Sequence, residues 1–344
     1  MKRIRFGKIR IASASDSLII RSVDACLSLP SLTRNTVSNA TGISPPSAGK
    51  ILHAMHDCRF LKRSPAVNAD HSDLYTISPE LCALVLDLSS ACFEAYITDC
   101  VGSILFSMEY LCSSEITKHE NLLLFFSRVG TKIAQSELSP SSLCVIYGES
   151  GTGKRSPLFR DLLPSADDTE LLYAHCAKFF SLHPLACLTS AEAVGYGLRY
   201  LCSDAPKDTV YVRYGRYPYA AFISSEGMTR ACKLNSLLCK NGMTLEEAYD
   251  SLIHPPSASS LLGRLIEATD CAFSPDKYVL EYDSRKFDGE MLAVFKRHFA
   301  LCGETLPNLT VTGKHNSYAV HGAARLVTSR FICAHLGVSS KNNS

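Results

Sequence analysis

From residue 16 to 77 the apolar positions follow first a helical period and then the period of strands. Leu18, Ile19, Val23, Cys26 and Leu27 recur at the three- and four-residue spacing of one helix face, Asp16 stands where it can cap that helix, and Pro30 stops it. Thr33 can cap a short second helix running to Ala40, and Gly42 supplies the left-handed position that ends it. Ile43 buries against these two helices, and Ser44 caps a third with Pro45 in its first turn. Ala48, Ile51, Leu52 and Met55 make the inward side of the third helix, which leaves Pro46, Ser47, Gly49, Lys50 and His53 outward. Phe60 and Leu61 open a strand that runs into Lys62 and Arg63. A loop spans Ser64 to Asp73, and Leu74, Tyr75, Thr76 and Ile77 return.

Three helices followed by a hairpin predict a winged helix-turn-helix, which lays its third helix in the DNA major groove. The candidate DNA contacts are Arg34, Ser44, Pro46, Ser47, Lys50 and His53, with Lys62 and Arg63 on the wing. Charge agrees with this expectation. Residues 1–80 hold 11 Lys or Arg against 6 Asp or Glu, hence +5, so the remaining residues carry −3 of the whole-chain +2. The same geometry also serves protein docking. Lys2, Arg3, Arg5, Lys8 and Arg10 fit either a phosphate-binding arm or a solvated tail. His53 and His56 have a spacing that can bind a metal, but no third ligand is evident, so no metal site is expected.

With 344 residues and 46% hydrophobic composition, the chain has room for two or three cored domains. No apolar stretch reaches the roughly 18 to 20 residues needed to cross a bilayer, and no secretory leader is visible, so a cytoplasmic protein is expected. The fifteen cysteines are scattered singly through apolar runs without a C-x-x-C pair, which suits buried reduced thiols. Beyond residue 80, strands are expected at Leu81 to Asp87, Ala91 to Thr98 and Ser103 to Tyr110, joined by turns such as Asp99 to Gly102. A helix from Glu120 to Ser136 and a strand from Leu143 to Tyr147 follow. A second series has a helix at Ala191 to Leu201, strands at Thr209 to Tyr214, Ala220 to Ser224 and Tyr278 to Tyr282, a helix at Gly289 to Leu301, and a closing helix from Ser317. Two successive lobes of strand meander plus helix emerge, over 81–185 and 186–344, after a DNA-binding domain at 1–80.

From about residue 16 to 335 the chain resembles the ROK family, bacterial sugar-responsive repressors that join a winged helix to an actin-like sugar-kinase fold. Leu32-Thr33-Arg34 with Thr41-Gly42-Ile43-Ser44, the strand at Leu84 to Asp87, Leu245-Glu246 with Ala248-Tyr249, and Tyr318 to Leu326 carry the likeness through their order and spacing. The resemblance implies an α/β fold: an N-terminal winged helix-turn-helix followed by a two-lobed actin-like (ribonuclease H-like) ATPase/sugar-kinase domain. It implies as partners double-stranded operator DNA and a sugar or sugar-derived effector, and assembly as a homodimer or dimer of dimers.

Several of the family's chemical motifs are absent. Its kinases carry an Asp-x-Gly-Gly-Thr phosphate loop where this chain reads Asp87-Leu88-Ser89-Ser90-Ala91, and a Gly-Thr-Gly-x-Gly turn where it reads Gly215-Arg216-Tyr217-Pro218-Tyr219. Ser190 stands in Leu188-Thr189-Ser190-Ala191-Glu192 at the place of the catalytic Asp, and serine cannot take a hydroxyl proton at neutral pH without an activating partner. Cys239 alone precedes Asn241 to Glu246, where the family's zinc loop supplies a His and three Cys. The sugar-contact motif Gly-Glu-x-Gly-His has no counterpart in Lys233 to Leu238. The expectation is a transcriptional regulator, a repressor, with a catalytically inactive kinase-like domain and no cofactor. Asp87, Ser190, Glu192 and Asn235 remain as candidates for an altered effector pocket. The alternative is an active ATP-dependent sugar kinase with atypical phosphate loops. Gly148 to Lys154 looks like a P-loop, but Arg155 and Ser156-Pro157 follow where a Ser or Thr and a helix start are required.

Overall fold

The computed structural model describes residues 6–11, 14–64, 73–89, 92–147, 168–201, 207–214, 219–231, 273–282, 309–313 and 317–338. The expected helix at Gly289 to Leu301, most of the loop after Ser64, Asn235, the cysteine-poor loop around Cys239, the P-loop-like Gly148 to Lys154 and the Gly215 to Pro218 turn lie outside these residues.

Helices α1 (Asp16–Ser28), α2 (Arg34–Thr41) and α3 (Pro45–Asp57) precede a two-stranded antiparallel sheet, β1 (Leu61–Ser64) and β2 (Leu74–Ile77). Thr33 and Thr36 cap α2 reciprocally, Gly42 ends it at φ 72°, and the Ser44 hydroxyl accepts the Ser47 N–H at the start of α3. This sharp stop and immediate restart turn α3 against α1 and α2. One expected cap differs. Asp16 is the first residue of α1 rather than its cap; Ser15 holds the cap position without a side-chain hydrogen bond.

Two five-stranded sheets follow. The first uses β3 (Ala83–Leu88), β4 (Cys92–Thr98), β5 (Ile104–Leu111), β6 (Ser142–Tyr147) and β7 (Ala186–Thr189), in the order β5-β4-β3-β6-β7. The second uses β8 (Thr209–Tyr214), β9 (Tyr219–Ile223), β10 (Thr229–Ala231), β11 (Lys277–Tyr282) and β12 (Leu309–Gly313), in the order β10-β9-β8-β11-β12. In each, the first three strands form an antiparallel meander and the last two add in parallel. The same topology is thus used twice, as a two-lobed actin-like fold requires.

Helices α4 (Lys118–Gln135) and α5 (Asp168–Phe180) cover one face of the first sheet, where Leu84, Leu86, Phe93, Phe125, Phe126 and Cys176 share a core. Helices α6 (Ser190–Leu201) and α7 (Tyr318–His335) pack with the other face, and their core also takes in Tyr211, Ala221 and Val279 of the second sheet. They cross nearly backbone to backbone. A Cβ at Gly322 would stand 2.2 Å from the Ala193 carbonyl oxygen, so neither it nor Gly197 opposite can carry a side chain without moving the pair apart.

Helix α7 also enters the N-terminal unit. Ile332, Cys333 and Leu336 belong to the same core as Val23, Ile51, Met55 and Phe60, and Phe6 stacks on Phe60 and meets Phe331 edge-on. The Arg325 guanidinium donates to the Leu27 carbonyl, one of the terminal acceptors of α1, and, at 2.8 Å, to the Asp24 carbonyl, which also accepts the Ser28 hydroxyl. Ser329 Oγ donates to Asp24 Oδ1 at 2.7 Å. Burial raises the Asp24 carboxyl above its ordinary value, with Ser329 and Arg325 opposing the rise.

Candidate nucleic-acid interface and interlobe cleft

Of the eight residues expected to meet DNA, Arg34 opens α2, Ser44, Pro46, Ser47, Lys50 and His53 lie at the start and along the polar side of α3, and Lys62 and Arg63 are on β1. Ala48, Ile51, Leu52, Ala54 and Met55 are buried and fix the rotation of α3. Arg34, Ser44, Pro46, Ser47, Lys50, His53, Lys62 and Arg63 are all exposed. The β1 register, with Leu61 opposite Ile77 and Arg63 opposite Tyr75, turns Leu61 inward. Arg63 is held by Asp73 at 2.8 Å, so part of its charge is spent within the hairpin. At the far end of α3, Asp57 approaches both histidines, which supplies the third donor that spacing alone does not suggest.

Of the four effector candidates, Asn235 lies outside the described residues, and Asp87, Ser190 and Glu192 are held in different surroundings. Asp87 is 3% exposed at the end of β3, where its Oδ1 accepts the Ser89 N–H at 2.9 Å. Its Oδ2 lies 3.6 Å from Arg213 Nη1 on β8, and Arg213 Nε lies 3.5 Å from Glu281 Oε1 on β11. The Tyr211 hydroxyl donates to Glu281 Oε2 at 2.8 Å. One guanidinium therefore sits between a carboxylate of the first sheet and a carboxylate of the second. Burial works against the Arg213 charge, but the groups around it, Glu281 and Asp87 among them, outweigh burial and hold its proton more firmly than usual. Burial raises the Glu281 carboxyl, with Arg213 and Tyr211 opposing. Arg213 and Glu281 carried no family motif, and only the pairing of β8 with β11 makes them neighbours.

Ser190 is buried in the first turn of α6. Glu192 instead caps that helix: its carboxylate accepts the Thr189 N–H at 2.8 Å, and Thr189 Oγ1 accepts the Glu192 N–H at 3.1 Å. Glu192 also lines a cavity of about 330 Å³ with Tyr196, Arg199, Lys207, Ser225 and Lys277, at the ends of β8 and β11 away from Arg213. That cavity was missed by motif reasoning because its cations come from separate elements.

Among the described residues no helix is long and apolar enough to cross a membrane. The described cysteines are free thiols, mostly buried, and burial pushes those of Cys26 and Cys100 up to about 12.

No family model matches the sequence, and no curated protein matches it significantly. Solved structures do. A ROK family transcriptional regulator, a homologue of the E. coli MLC protein, superposes with a TM-score of 0.56 at 12% identity over 94% of this chain and 98% of its own. Also similar are an inorganic polyphosphate/ATP-glucomannokinase from Arthrobacter sp. strain KM, with a TM-score of 0.48 and 15% identity over 71% of this chain and 96% of its own, and an N-acetylmannosamine kinase-like protein from Listeria monocytogenes, with 0.47 and 11% over 73% and 98%. The nearly end-to-end superposition on the regulator establishes that this chain has the ROK fold.

Proposed function

We propose that this protein is a ROK-type transcriptional regulator that binds double-stranded operator DNA through a winged helix-turn-helix at residues 1–80, and that its kinase-like lobes, 81–185 and 186–344, no longer transfer phosphate. The observation that carries this reading is the outward face of α3, where Ser47, Lys50 and His53 are exposed while the opposite face is locked into the core. Lys50 and Ser47 sit in the half of a reading helix that meets base edges and phosphates. The cleft supports loss of kinase activity. Phosphoryl transfer needs a carboxylate available to a metal ion and room for phosphate, whereas Asp87 is engaged by Arg213. Repression by a homodimer on a pseudo-palindromic site follows from the family likeness, with the pair setting the distance between two reading helices. For an effector, the cavity beside Glu192 is better suited than the cleft. Its three cations against one acid favour an anionic sugar derivative.

The test is a titration of operator-containing fragments at several salt concentrations. Binding whose affinity falls steeply and linearly with log salt is expected, and salt-independent or absent binding would leave α3 as a protein-docking surface. A coupled assay of ATP turnover over hexoses and amino sugars should show none above background; sugar-dependent turnover would restore the kinase alternative.

A further inference from the structure

At the end of α3, His56 and Asp57 join His53, itself a candidate DNA contact, in a set of three metal-type donors. His53 Nε2 lies 3.7 Å from Asp57 Oδ2, His56 Nδ1 lies 3.5 Å from Asp57 Oδ1, and a donor from each of the three residues falls within 4.8 Å of the other two. Two ligands of a tetrahedral zinc ion, each about 2.0 to 2.1 Å from the metal, stand about 3.3 Å apart. The observed separations are close to that value, and small rotations of exposed side chains close the difference. His56 Nδ1 is buried without a hydrogen-bond partner among the described residues, and its ring is braced edge-on by Tyr75. The rings of His53 and His56 are near parallel, with an interplanar angle of 21°. Asp57 ends α3, where the helix carbonyls favour a cation.

We propose that His53, His56 and Asp57 bind one divalent transition-metal ion of the zinc type. Two imidazoles and one carboxylate suit Zn²⁺, Co²⁺ or Ni²⁺ over magnesium or calcium, which prefer all-oxygen shells. Three protein ligands leave a coordination position open to solvent, since His53 and Asp57 are 62% and 44% exposed. The ion sits on the same surface as Lys50, so it adds positive charge where a DNA phosphate would approach. This second role rests on the DNA-binding reading; the metal site itself does not.

Calorimetric titration of the full chain with Zn²⁺, paired with visible absorption on Co²⁺ loading, tests the site. One saturable ion per chain is expected, with a Co²⁺ spectrum that lacks a thiolate charge-transfer band. His53→Ala and His56→Ala should each weaken binding at least about tenfold, because losing a direct ligand costs more than the 10–100-fold typical of an outer-shell partner. His53 is exposed and His56 half-buried, and unchanged helical circular dichroism verifies folding of both variants. Absence of saturable binding, a thiolate band, or binding that survives the two substitutions would overturn the site. Given DNA binding, Zn²⁺ should raise the DNA affinity of the wild-type chain and have no effect on that of His56→Ala, which is not among the DNA contacts; an equal effect on both would overturn the second role alone.

Discussion

Arginine and lysine stand in opposite situations in the cleft and on α3. Arg213 is enclosed between Asp87 and Glu281, the two carboxylates being 3% exposed each. Lys50, between Ser47 and His53 on α3, and Lys62 on β1 stand exposed. A cation enclosed by carboxylates holds two sheets together and has little left for a ligand, while an exposed one on a fixed helix face is available to phosphate. On the proposed reading, ligand chemistry lies outside this cleft and the lobes act as a scaffold for the N-terminal unit.

The largest test of this contrast is Arg213→Ala. It strands two buried carboxylates, and breaking a buried pair in this way costs about 3–5 kcal/mol, so a large fall in the chemical-denaturation midpoint is expected. A small change would mean that the cleft is wetter and looser than its distances indicate. Arg325→Ala comes next. It removes charged hydrogen bonds to the end of α1 worth about 1.5–3 kcal/mol, and hydrogen exchange should quicken in α1 more than in α4. Lys50→Ala should weaken operator binding about tenfold with little effect on Tm, because it removes a surface contact and no packing. The smallest effect is the pH response of Glu281→Gln. Burial raises the folded carboxyl, so its contribution to stability is full below the ordinary carboxylate value and is lost as pH rises through the raised one. The variant should therefore show a shallower decline in Tm between mildly acidic and neutral pH than the wild type.

The N-terminal elements were legible because their signals are local. Thr33, Gly42 and Ser44 with Pro45 each act within a turn; α2 begins and ends within a residue of the expected positions, and α3 begins at the expected residue. The meander of β3 to β5 was legible for the same reason, with Asp99 accepting the N–H groups of Val101 and Ser103 in its turn. Strand β7 and helix α5 were not anticipated. Ala186–Thr189 is short and pairs in parallel at a sheet edge, so it lacks a hairpin signal, and Asp168–Phe180 has only a weak apolar face in Leu171, Leu172, Cys176 and Phe179. Strand β12 is short in the same way. Of the cleft, Asp87 could be found through its place after a buried strand. Its partners could not, because Arg213 and Glu281 meet it only through tertiary folding. Arg325 is hidden similarly: a basic residue in a helix carries no sign that it caps another helix far away in sequence.

The most direct test of the central claim is capture of genomic fragments by the purified full-length chain at moderate salt, followed by sequencing, with Lys50→Ala alongside. Enrichment of one or a few fragments that is lost in the variant is the predicted result. Uniform recovery of all fragments, or enrichment that Lys50→Ala leaves intact, would contradict sequence-specific DNA reading by α3.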